Sequence, residues 1–170
     1  MADPIHFELK PLSREGIAGA LEKAMRYRFL NEPGEAESIC QDILHTDPEN
    51  QHALVVLLLA LTDRFGKAYS VSSTRAQEIL GRLRDDYERT YYEGIISERQ
   101  AKAQLHQGSP GSGFAAYEFF RKAMECYETA EAIRPPGNDD AILRWNTCAR
   151  IIISNRLVPR PPEAYEPALE

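Results

Sequence analysis

Cys40, His45 and His52 are side chains of metal-ligating type, and two of the three flank a turn. Their spacing fits no compact zinc motif and no fourth ligand stands near in sequence, so they read as ordinary helix-end residues. Glu88-Arg89 and Glu98-Arg99 suit solvated or bridging helix faces better than a catalytic pair. The loop Ser109-Pro110-Gly111-Ser112-Gly113 has glycines, but neither the lysine nor the strand that a phosphate-binding loop needs. No serine, histidine and acid fall into a nucleophile pattern. The sequence thus predicts a chain that is not an enzyme, with no catalytic residue, metal or cofactor. What remains is recognition. Asn146 and Arg150 stand one helical turn apart beside Trp145, where an amide pairs with peptide backbone and a guanidinium forks onto a carboxylate or carbonyl. A bridge from Arg150 to an acidic neighbour would use the same side chain without a ligand. Tyr91, Tyr92 and Tyr117 are expected to serve hairpin packing rather than ligand contact.

The elements that must position these residues are helical. Phe120, Ala123, Met124, Tyr127, Ala130 and Ile133 recur at helical spacing, Pro135-Pro136-Gly137 cannot continue the helix, and Asn138 or Asp139 supplies the next cap. Ile142, Trp145, Cys148, Ala149 and Ile152 form a second stripe, with Trp145 expected mostly in the core. Two striped helices joined so tightly pack antiparallel. Upstream, Met1 to Leu12 has two prolines and no helical period, an extended arm. Ser13 opens a helix whose face is Ile17, Leu21, Ala24, Met25 and Phe29, which Pro33-Gly34 is expected to end. Glu35 begins a second helix with Ala36, Ile39, Cys40, Ile43 and Leu44 on its face, closed by Asp47-Pro48. Glu49 to Phe65 is apolar on nearly all sides and is expected as the central layer. Gly66 to Ser73 reads as a polar connection. Residues 74–107 read as helix throughout, with Gly81 and Gly94 tolerated inside it and a turn near Glu88 to Thr90 suggested by length alone.

Composition bounds the rest. With 43% hydrophobic and 27% charged residues, one ordinary globular core is expected over residues 13–156, after an arm 1–12 and before a tail 157–170 with four prolines in fourteen residues. A net charge of −6 argues against nucleic acid or an anionic membrane as the main partner. The longest apolar run, Ala53 to Leu61, is nine residues, too short to span a bilayer. Three cysteines without CxxC spacing and a start without a secretory pattern point to a reducing, cytoplasmic setting.

Two segments superimpose without a gap: Ala36, Cys40, Ile43 and Pro48 share their spacing with Ala123, Tyr127, Ala130 and Pro135. A small residue, an apolar one four later, another three beyond and a proline five after that resembles the back helix of a tetratricopeptide repeat. Trp145-x2-Cys148-Ala149-x2-Ile152 and Leu54-x2-Leu57-Leu58-x2-Leu61 echo the front-helix signature, and so do Ala24 and Tyr27, nine residues before Ala36. The first unit holds Ala20 and Lys23 in the tryptophan and leucine slots, and the second holds Leu58 in the small-residue slot. The back helices stand 87 residues apart, against roughly 68 for two repeats. The resemblance implies an all-α, right-handed stack of about three antiparallel helical hairpins with a capping last helix. It implies a protein-interaction module binding another protein or peptide in a concave groove. Groove positions are then Leu21, Met25, Val55 and Leu59, with Asn146 and Arg150 of the last unit. The lysines and asparagines with which some family members clamp a chaperone's C-terminal carboxylate are missing there, which favours an apolar or helical ligand. A small acidic chaperone for an aggregation-prone client, a structural subunit whose groove is filled by its own tail, and a homo-oligomer are the alternatives.

Overall fold

The computed structural model describes residues 5–66 and 69–162, and within them every regular element is helical. Residues 1–4 of the expected arm, residues 67–68 of the expected polar connection and residues 163–170 of the tail lie outside the described residues. Contacts group the chain into two units, Met1–Asp85 and Asp86–Glu170.

The first unit holds α1 (Ile17–Phe29), α2 (Pro33–Thr46), α3 (Gln51–Thr62) and α4 (Tyr69–Leu80). Ser13 Oγ accepts from the Gly16 N–H at 3.1 Å and opens a 3-10 turn that leads into α1. The stop differs from expectation. Asn31 adopts a left-handed φ of 60°, its N–H bonds the Arg28 carbonyl and the Glu32 N–H bonds that of Tyr27, the pattern of a Schellman end. Pro33 therefore begins α2, where its missing N–H costs nothing, and Pro33-Gly34 is a start rather than a stop. Asn50 Oδ1 caps α3 by accepting from the Ala53 N–H at 3.0 Å. α3 packs against α2, α4 and α1, the central place its leucines call for. Glu37 of α2 is almost fully buried and joins Arg64 (2.8 Å), just past α3, and Arg75 of α4. α4 starts at Tyr69, so part of the expected connection is helix. It stops at Leu80: the turn falls at Gly81 to Asp85, not at Glu88 to Thr90, and residues 74–107 are two helices.

The second unit holds α5 (Asp86–Gln107), α6 (Ser112–Ala132) and α7 (Asp140–Ser154). α5 and α6 run antiparallel through a loop in which Gly108 and Gly111 take φ of 63° and 82°. α6 then packs against α7 across the Pro135-Pro136-Gly137 turn; Asp139 stands at the N-cap without a side-chain cap bond, and Asn138 Oδ1 accepts from the Asp140 N–H at 3.0 Å in a turn just ahead of the helix. The α6 stripe is buried from Phe120 to Ala130, but Ile133 is half exposed. α7 buries only Ala141 and Cys148 completely, and Trp145 is half-buried and not core; within the unit α7 packs chiefly against α6. Beyond α7, residues 157–162 carry no regular secondary structure and lie against the start of α6. There the Arg160 guanidinium sits 5.6 Å over the Phe114 ring.

The paired repeat positions match in placement. Ala36, Cys40 and Ile43 on α2 and Ala123, Tyr127 and Ala130 on α6 are all 0% exposed, and Pro48 and Pro135 follow the two helix ends.

Candidate functional site

The expected groove residues fall on two units. In the first, α1 and α3 touch, and between Ala53 and Thr62 only Val55 and Leu59 are not buried. They stand one turn apart on α3, so they share a face. On α1, Leu21 is half-buried and Met25 is 43% exposed, again one turn apart. Arg28 Nε reaches Asp63 Oδ2 at 2.8 Å and Nη2 reaches Oδ1 at 3.3 Å, a bidentate pair that joins α1 to the end of α3. Four apolar side chains on two touching helices thus keep accessible surface. Phe29 does not share their fate as a packing residue: expected on the α1 inner face, it is 81% exposed, as is the neighbouring Leu30 at 62%.

In the second unit, Asn146 lines a cleft of about 310 Å³ with Glu128, Glu131, Ile142 and Trp145. The Trp145 indole N–H donates to Glu128 Oε1 at 2.9 Å, which fixes the ring. Arg150 is exposed and does not line this cleft. Tyr91 stacks with Tyr87 at 5.8 Å and leans on Tyr127 at 5.8 Å, with Tyr92 edge-on to it at 5.1 Å, so this aromatic group serves the α5–α6 contact.

The strongest polar feature is one that the sequence reading placed on a solvated or bridging face. Glu98 is fully buried and accepts from Lys102 Nζ (2.6 Å), Tyr127 Oη (2.7 Å) and Arg144 Nε (3.0 Å), with Arg144 Nη2 on its other oxygen. One carboxylate therefore joins α5, α6 and α7. Burial alone would raise its pKa, but the hydrogen bonds from Arg144, Lys102 and Tyr127 together hold it below the usual carboxylate range. Burial and the Glu98 charge push the Tyr127 hydroxyl up, so it stays a donor. A signal existed: Glu98 lies seven residues from both Tyr91 and Leu105, in the middle of an apolar stripe. The Glu98 carboxylate is thus fully hydrogen-bonded within its unit and ties the three helices together.

Cys40 is fully buried, whereas His45 and His52 are exposed; among the described residues no three metal-ligating side chains converge. Burial pushes the Cys40 and Cys148 thiols up to about 12, and Cys126 up to about 11, so all three stay protonated near neutrality. Among the described residues no helix is long and apolar enough to cross a membrane. Comparison of the chain with family models, with curated proteins and with solved structures finds no match in any of the three.

Proposed function

We propose that the chain is a non-catalytic protein-interaction module built of divergent tetratricopeptide-like helical hairpins, α1/α2 and α3/α4 in the first unit and α5/α6 followed by α7 in the second. The equal burial of the paired repeat positions on α2 and α6 supports this architecture. The observation that carries the function is the α1–α3 face. Within Ala53 to Thr62 of α3, Val55 and Leu59 alone keep accessible surface, as do Leu21 and Met25 on the touching helix α1. A ligand that buries them is an apolar stripe, on a partner helix or on alternate residues of an extended peptide.

The test is capture of partner proteins by the immobilised full chain from cytosol. Leu59→Glu places a charge on the accessible edge of α3, so capture falls by about tenfold or more while the thermal midpoint moves little. Arg150→Glu, in the other unit, asks whether that expected groove residue contributes. Capture that survives Leu59→Glu removes the reading.

A small acidic chaperone is the second reading, favoured by the arm: Ile5, Phe7 and Leu9 stand at alternate positions in a segment without regular secondary structure and are each at least 80% exposed. On that reading the triple change Ile5→Ser, Phe7→Ser, Leu9→Ser weakens suppression of client aggregation, read by light scattering, and leaves the fold intact. Unchanged suppression sinks it.

A further inference from the structure

We propose that the cleft between α6 and α7 receives a cationic side chain, arginine or lysine, of the partner. This rests on the interaction reading and adds the partner's chemistry at a place away from the α1–α3 face. The cleft encloses about 310 Å³ and its five lining residues divide cleanly. Trp145 and Ile142 are apolar walls that can flank the methylene stem of a long side chain. Glu128, Glu131 and the Asn146 amide oxygen are acceptors for its N–H groups.

The tryptophan is held ready. Its N–H is already given to Glu128 Oε1 at 2.9 Å, so what the indole can offer a ligand is its π face, which attracts cations. Glu128 keeps the lone pairs of its second oxygen for a donor from outside. The Glu131 carboxylate makes only a long contact, 3.6 Å, with Arg134 Nη1, which donates instead to the Glu131 backbone carbonyl at 3.1 Å, and Arg134 Nε lies 3.4 Å from Asp139. The resident cation is thus held by a backbone carbonyl and makes no short bond to the Glu131 carboxylate. Arg144, the sequence neighbour of Trp145, is committed to Glu98 and cannot neutralise the cleft.

Other occupants fit worse. An anion meets two carboxylates, and a purely apolar group would strip water from them without giving a hydrogen bond in return. The net charge of −6 draws basic partners at long range.

Trp145 is the chain's one tryptophan, so intrinsic fluorescence reports on this cleft. The full chain is titrated at low salt with N-acetyl-arginine amide, N-acetyl-lysine amide and the neutral N-acetyl-citrulline amide. The expected result is a saturable fluorescence change with the arginine or lysine compound, with citrulline weaker by about tenfold. Glu131→Gln weakens the cationic probe roughly threefold to tenfold, as does added salt. Citrulline binding as tightly as arginine, no saturable response to either cation, or a response untouched by Glu131→Gln overturns the proposal. If the probes fail while the wild-type chain still captures partners and Leu59→Glu does not, the cationic pocket alone falls. If the probes bind and capture fails, the interaction reading falls and the pocket stands.

Discussion

Arg144→Met lowers the stability of the second unit by roughly 3 kcal/mol, the low end of what removing one member of a buried ion pair costs. Glu98 has no access to water, and Arg144 supplies two of the hydrogen bonds that make its charge tolerable. Methionine fills much of the arginine's stem volume, so the loss measures an uncompensated carboxylate more than a cavity. The guanidinium itself is partly solvated, with 30% of the side chain exposed, which places the cost at the low end. Glu98→Gln in the same background recovers at least about 1 kcal/mol, because the stranded charge is then gone. Trp145 lies in the same unit, so urea unfolding followed by its fluorescence is the measurement. The acid limb gives a second readout. The folded-state pKa of Glu98 lies below its reference value of 4.5, so its contribution is complete above that value. It is lost as pH falls through the lower folded one. Glu98→Gln flattens this window. In Arg144→Met two donors face the same burial, the pKa moves up, and the acid-side loss shrinks. Equal stability of wild type and Arg144→Met at neutral pH would show that Glu98 is solvated after all.

Much of this architecture is legible from spacing because it follows from local rules. Leucines on every side of α3 can only be covered by neighbours, and Asn50 marks its start. Pro135-Pro136-Gly137 must break the chain whatever surrounds it. The errors arise where a residue's meaning depends on a partner far away in sequence. Pro33 fits a stop as well as a start, and it is Asn31 in the left-handed region that settles which. Glu98 reads as solvated because charge defaults to water; only Tyr127 and Arg144, 29 and 46 positions away, overturn that default. Trp145 is expected in the core from its place in an apolar stripe, but within its unit α7 packs chiefly against α6 and leaves the ring half-buried. Of the candidate site, Val55 and Leu59 were legible through the front-helix resemblance. The acidic side of the α6–α7 cleft was not, since Glu128 and Glu131 look like ordinary outward positions until the turn brings Trp145 against them.

Gly81 and Gly94 sharpen the same lesson. Gly94 lies in the interior of α5, where glycine costs about 1 kcal/mol relative to alanine, so propensity alone makes alanine stabilising there, whereas Gly81 stands in the turn just past α4 and carries no such cost. At Gly94 the sign reverses. A Cβ there would lie 2.5, 2.8 and 3.0 Å from three ring carbons of Tyr127, closer than real contacts allow. The ring cannot step aside: it is 0% exposed, in contact with Tyr91, and its hydroxyl is bonded to Glu98 at 2.7 Å. Either α5 and α6 separate, or Tyr127 moves and surrenders its bond to a buried carboxylate. Overpacking costs roughly 1–3 kcal/mol and a hydrogen bond to a charged group about 1.5–3 kcal/mol. The net expectation for Gly94→Ala is a loss of about 2 kcal/mol after the helix gain. At Gly81 an added Cβ meets only backbone oxygens at 3.5 and 3.8 Å, ordinary contact distances, so Gly81→Ala stays within about 0.5 kcal/mol of wild type. A cycle with Tyr127→Leu isolates the cause. Leucine removes the ring atoms, so Gly94→Ala costs less in that background than in the native one. A Gly94→Ala protein as stable as the parent would mean that α5 and α6 do not approach as closely as the Tyr127 ring requires.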